Sequence, residues 1–128
     1  MRAMIIDDDL SDIRIADRVA RTAGFEDIEI FPSLDRAIKS IEQGLQGEKP
    51  LPDAIILDLN LGYESGYEFL RHWRTTWANS TIQIIVWSVL GDRNRELCAL
   101  FHADAYVSKW EGEAALCKAL QEVSGVAI

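Results

Sequence analysis

Four apolar runs in this chain each end in polar residues: Met4-Ile5-Ile6 before Asp7-Asp8, Ala54-Ile55-Ile56-Leu57 before Asp58, Ile84-Ile85-Val86-Trp87 before Ser88, and Ala105-Tyr106-Val107 before Ser108-Lys109. Short, β-rich and bounded by turn residues, these runs predict strands buried on both faces. Segments with helical period lie between them, the pattern of a parallel sheet with helices on both sides. Right-handed crossovers bring the C-terminal ends of all such strands to one edge, where open α/β sheets bind their ligands. Topology therefore gathers Asp7, Asp8, Asp58, Ser88 and Lys109 into one polar site.

The segments between the runs read as follows. Leu10 to Ala23 predicts a helix with an apolar stripe of Ile15, Ala16, Val19, Ala20 and Ala23, stopped by Gly24. Ile28 to Phe31 predicts a short second strand, and Ser33 is placed to cap a helix over Leu34 to Ile41. Gln43 to Pro52, with two Gly and two Pro, predicts a loop, as does Asp58 to Gly66. Further helices are predicted over Tyr67 to Trp77, Asp92 to Phe101 and Glu111 to Val123, with a strand from Thr81 to Ser88. The expected count is five strands and five helices in strict alternation.

A length of 128 residues with 48% apolar content suits one domain, residues 1–128, with a single core. No apolar run approaches the roughly 20 residues of a membrane span, and Asp7 interrupts the N-terminus too early for a secretory signal, so a cytoplasmic protein is expected. Cys98 and Cys117 have no metal-ligand spacing and read as reduced, partly buried residues. A net charge of −8 disfavours nonspecific binding to nucleic acid or anionic membrane, and the aspartate cluster inside that charge points to a cation. His72 and His102 read as helix-surface residues.

Taken in order along the whole chain, Ile6-Asp7-Asp8, Asp58-Leu59-Asn60 with Gly66 eight residues past Asp58, Ser88, and Tyr106-Val107-Ser108-Lys109 resemble the receiver domain of two-component response regulators, the CheY-like family. The resemblance implies a flavodoxin-like, doubly wound (βα)5 three-layer sandwich with parallel strand order 2-1-3-4-5. Its switch point lies between the first and third strands, where Asp7, Asp8 and Asp58 would meet. The triple aspartate leaves two registers for the family's acidic pair, Asp7-Asp8 or Asp8-Asp9. The distance to the following helix favours Asp7-Asp8, which leaves Asp9 near that helix's start, where a carboxylate is favourable.

The resemblance further implies that Asp58 accepts a phosphoryl group, with Mg2+ held by Asp8, Asp58 and the Asn60 carbonyl and by Asp7 largely through water. Magnesium suits such a set because crowded carboxylates raise one another's pKa and a hard dication relieves them. Lys109 and Ser88 would bind phosphoryl oxygens, and Tyr106 would swing inward as the loop after Ser88 moves. That movement would switch the surface made by the fourth helix, fifth strand and fifth helix. The implied partners are a sensor histidine kinase or histidine phosphotransfer protein as donor, and a downstream protein target or output domain. The chain is expected to be either freestanding or excised from a longer regulator, and to act as a signalling switch rather than an enzyme.

Three positions depart from the family pattern. Gly62 and Trp110 stand where proline is usual, and Val89 where a small residue is usual, with an expected narrowing of access to Asp58. The peptide before that second proline is often cis in the family, a geometry costly before any other residue. Two alternatives compete: a receiver-like scaffold that signals by binding without phosphorylation, and a magnesium-dependent phosphatase of the haloacid dehalogenase type. The latter needs acidic ligands after the lysine, where only Glu111, Glu113 and Glu122 remain.

Overall fold

The computed structural model describes residues 1–62, 64–76, 81–89, 96 and 103–125. Three of the predicted runs, β1 (Arg2–Ile6), β3 (Ala54–Leu57) and β6 (Gln83–Ser88), form the centre of a parallel sheet, flanked by β2 (Asp27–Phe31) and β7 (Ala105–Ser108). The order is β2-β1-β3-β6-β7. Numbered among themselves, these five strands follow the predicted order 2-1-3-4-5.

Alternation along each strand sends neighbouring residues to opposite faces. Met4, Ile6, Ile55, Leu57, Ile84 and Val86 face one core with Leu34, Ile41, Phe69 and Leu70, contributed by α2 (Leu34–Leu45) and α3 (Gly66–Thr76). Ile5, Ile56, Ile85 and Trp87 face the other, with Val19 of α1 (Leu10–Thr22) and Leu116 and Leu120 of α4 (Glu113–Ser124). The double burial accounts for the continuous apolar runs. These are the three layers of a doubly wound α/β fold.

Several boundaries differ from the sequence reading, each for a local reason. In α1 the buried stripe includes Ile13, while Ile15 is only half-buried. Helix α2 runs past Ile41 to Leu45 because Gly44 lies directly under Leu51, so tertiary packing outweighs the roughly 1 kcal/mol helix penalty of glycine. Ser33 stands at the N-cap of α2, yet its hydroxyl makes no capping bond. The segment expected to be a plain loop after Asp58 contains a two-residue antiparallel ribbon, β4 (Asn60–Leu61) with β5 (Glu64–Ser65). The last helix is divided by Gly112, at φ 92°, into a 3-10 turn over Lys109–Glu111 and α4. Of the predicted helix from Asp92 to Phe101 only Glu96 is described, and it is helical; the rest, including Cys98, lies outside the described residues, as do Trp77 and His102.

Strand register positions the site. Ile6 pairs with Leu57, and Ser88 with Ser108, so Asp7, Asp58, Ser88 and Lys109 all emerge at the C-terminal edge. The ladder continues one step beyond the strands: the Asp58 N–H donates to the Ile6 carbonyl at 2.9 Å and the Asp7 N–H to that of Phe31 at 3.2 Å. Both aspartates thus leave the sheet on fixed backbone.

Candidate functional site

Asp58 is buried, and both of its carboxylate oxygens have partners. Oδ1 accepts from the Ser88 hydroxyl at 3.0 Å and from the Asn60 N–H at 3.1 Å. Oδ2 accepts from the Lys109 ammonium at 3.0 Å. Gly66 explains how the chain turns so tightly past Asp58: a Cβ there would lie 2.5 Å from the Asp58 carbonyl oxygen and 2.7 Å from Leu59 Cα, closer than backbone atoms permit.

Asp7 is also buried, with Oδ1 accepting from the Asp9 N–H and Oδ2 from Lys109, each at 3.0 Å. Burial pushes its carboxyl up from 3.8 to about 6, with the nearby Asp58 charge adding to the rise, against the lowering effect of the Asp9 N–H and Lys109. Asp8 is exposed, and one carboxylate oxygen from each of Asp7, Asp8 and Asp58 lies within 4.8 Å of the others. Asp9 stands apart as the N-cap of α1, its Oδ1 accepting from the Asp12 N–H at 3.0 Å.

Lys109 closes the site from β7. Its ammonium contacts Asp7, Asp58 and Asp12, the last at 2.7 Å, and lies 4.9 Å from the centre of the Trp87 ring. Burial alone would lower the lysine pKa. Hydrogen bonds to Asp12 and Asp58 and the charges of Asp7 and Asp58 outweigh burial and raise it, so the ammonium stays charged.

Three carboxylates, those of Asp7, Asp12 and Asp58, therefore surround one ammonium. Asp7, Asp8 and Asp58 offer hard oxygen donors within one small volume, where burial and the neighbouring Asp58 charge both oppose the ionisation of Asp7. This donor set fits a magnesium-type ion, which favours oxygen ligands and keeps several waters.

The remaining predicted residues sit around this centre. Asn60 is exposed on β4 and gives its N–H to Asp58. Tyr106 on β7 is buried with the core on the α2–α3 side. Gly62 has φ 69°, which proline cannot adopt, and the ribbon it turns lies close to Asp8. The Lys109–Trp110 peptide is trans, and the Trp110 indole N–H donates to the Val89 carbonyl at 3.2 Å. Val89 is about half-exposed at the rim.

Sequence reasoning did not select Asp12. The one available signal was its place in the first turn of the helix that follows Asp7-Asp8, which puts it at the same edge of the sheet.

The model of the response regulator receiver domain family matches residues 3–121. Similar solved structures include the Mn(2+)-bound form of response regulator Rcp1, at TM-score 0.77 and 21% identity over 99% of this chain and 97% of that one. A response regulator receiver protein from Burkholderia phymatum gives TM-score 0.78 and 24% identity over 98% and 96%. A CheY-like receiver domain protein from Methanospirillum hungatei gives 0.75 and 20% over 94% and 90%. No curated protein matches the chain. Identities this low show a shared fold alone, and it is the family model, spanning nearly all of the sheet and its helices, that decides membership: the chain belongs to the response regulator receiver domain family.

Proposed function

We propose that this receiver takes a phosphoryl group from a phosphohistidine onto Asp58 and uses the resulting charge to switch a protein-binding surface. The observation that carries the reading is the Asp58 carboxylate, held from one side by the Ser88 hydroxyl and from the other by the Lys109 ammonium, beside two further aspartates.

In the transfer, an Asp58 carboxylate oxygen bonds to phosphorus while the P–N bond to imidazole breaks. The electron pair leaves with the imidazole, which departs neutral when its second nitrogen carries a proton. Charge spreads over the equatorial phosphoryl oxygens, so the protein's task is positioning and neutralisation. Lys109 moves its hydrogen bond from Asp58 Oδ2 to a phosphoryl oxygen, and the Ser88 hydroxyl turns from Oδ1 to another. Asp8, Asp58, the Asn60 carbonyl and, through water, Asp7 would hold a magnesium ion, which when bound supplies further positive charge to those oxygens.

The donor class is a sensor histidine kinase or a histidine phosphotransfer protein, and the output is a protein target or an attached domain. Phosphorylation adds nearly two negative charges next to Ser88 and Lys109, enough to draw the segment after β6 toward Asp58. The receiver family match supports this reading over the phosphatase alternative, and Glu113, one of the acidic residues that alternative would need, instead pairs with Arg18.

Phosphoramidate carries the same P–N linkage as phosphohistidine and provides the test. Incubated with it and Mg2+, then reduced with borohydride, the protein should yield homoserine at position 58, and a chelator should suppress the product. Reduction at another position, or none, would overturn the proposal.

A further inference from the structure

Asp12 is the third residue of α1, held in place by the Asp9 cap on its N–H. The C-terminal half of the helix is tied to α4, by the Arg18–Glu113 ion pair and by the Ser124 hydroxyl donating to the Ala23 carbonyl at 2.6 Å. The Asp12 carboxylate is presented to Lys109 from the capped first turn of this helix, and their 2.7 Å contact is the shortest of the lysine's three. Asp12 does not belong to the cluster formed by Asp7, Asp8 and Asp58.

We infer that Asp12 is a positioning residue for Lys109, holding the ammonium in the site when a metal ion draws on Asp7 and Asp58. The inference rests on the proposed function, since it concerns the same metal and the same lysine.

An ammonium has three N–H donors, and here all three are taken, by Asp7, Asp12 and Asp58. A dication binding the acidic cluster competes for two of those acceptors and repels the ammonium. Asp12 lies outside the contested set and remains available. Its loss is therefore felt less in the metal-free protein, where two carboxylates still hold the lysine, than in the metal-bound one, where it is the main remaining partner. The sign follows: Asp12 favours metal binding, and does so through Lys109.

In this chain the role has added weight because the residue after the lysine is Trp110, on an exposed 3-10 turn, and not a backbone-rigid proline. The Trp87 ring under the ammonium supports it from the other side but supplies no formal charge.

The test is a double-mutant cycle on Mg2+ affinity in the unphosphorylated protein, read from amide chemical shifts during titration. Asp12→Asn should weaken Mg2+ binding about three- to tenfold in the wild-type background. In a Lys109→Met background the same change should matter less than about twofold, because the half-buried carboxylate, outside the metal cluster, then acts only through a screened field. Asp12→Glu should restore part of the loss. Equal losses in both backgrounds would show a plain charge effect and overturn the inference, as would no loss in either. Should Asp12→Asn fail to fold, Asp12→Ser runs the same cycle. A wild-type protein that binds no Mg2+ would overturn the functional reading itself, a result distinct from an uncoupled cycle.

Discussion

The Trp110 indole N–H donates to the Val89 carbonyl at 3.2 Å, joining the segment after Lys109 to the segment after Ser88 across the mouth of the site. The Trp110 backbone N–H also donates to the Ser108 hydroxyl at 3.2 Å. Trp110→Pro, which restores the residue usual in the family, removes both donors. Exposed hydrogen bonds of this kind contribute at the low end of their range, so the variant should lose about 1 kcal/mol, read as a lower urea midpoint with an unchanged slope. A midpoint equal to wild type would show that the tie has no energetic weight.

Trp87 reports on the lysine. Its ring is buried under the Lys109 ammonium, and its Nε1 is buried with no hydrogen-bond partner among the described residues, so that charge acts directly on the indole. Addition of a phosphodonor with Mg2+ should change the tryptophan emission as Lys109 exchanges partners, and Trp87→Phe should abolish the change. A response that survives in Trp87→Phe would place the reporter elsewhere.

Asp7 makes the fold pH-sensitive in an unusual direction for a carboxylate. Because its folded pKa, about 6, lies above its ordinary 3.8, the folded state binds the proton more tightly than the unfolded chain does. Its contribution to stability therefore falls as pH rises through that interval and stays low above it. Asp7→Asn keeps an acceptor for the Asp9 N–H while removing the charge. Without metal it should be more stable than wild type by about 1–3 kcal/mol at pH 7.5, with the gap closing toward pH 4. Thermal melts of the two proteins across that range provide the check, and a gap that does not change with pH would contradict the account.

Gly66 is confined by backbone atoms of Asp58 and Leu59. Gly66→Ala should cost about 1–3 kcal/mol, because its Cβ meets the Asp58 carbonyl oxygen and Leu59 Cα, both backbone atoms. Displacing that backbone also displaces the Asp58 carboxylate, so phosphorylation should slow along with the loss of stability. Ordinary stability and phosphorylation in Gly66→Ala would mean that the close approach is not a constraint.

What could be read from the sequence and what could not divide along physical lines. Apolar runs that end in Asp7, Asp58, Ser88 and Lys109 revealed the sheet and the edge where these residues gather, because strand period and crossover handedness are general rules. The Asp12–Lys109 pair spans 97 residues and depends on the phase of α1 and on side-chain reach, neither of which a strand pattern encodes. The β4–β5 ribbon was hidden because a two-residue pairing leaves no periodicity. The continuation of α2 through Gly44 was hidden because Leu51, which covers it, lies beyond the helix. The buried position of Tyr106 is a side-chain conformation, and a residue type alone does not specify one.

The most direct test of the central claim is intact mass after incubation with Mg2+ and acetyl phosphate, comparing wild type with Asp58→Ala. The account predicts one base-labile phosphoryl adduct on wild type and none on the variant. An adduct of equal yield on Asp58→Ala, or no adduct on a wild-type protein that binds Mg2+, would contradict it.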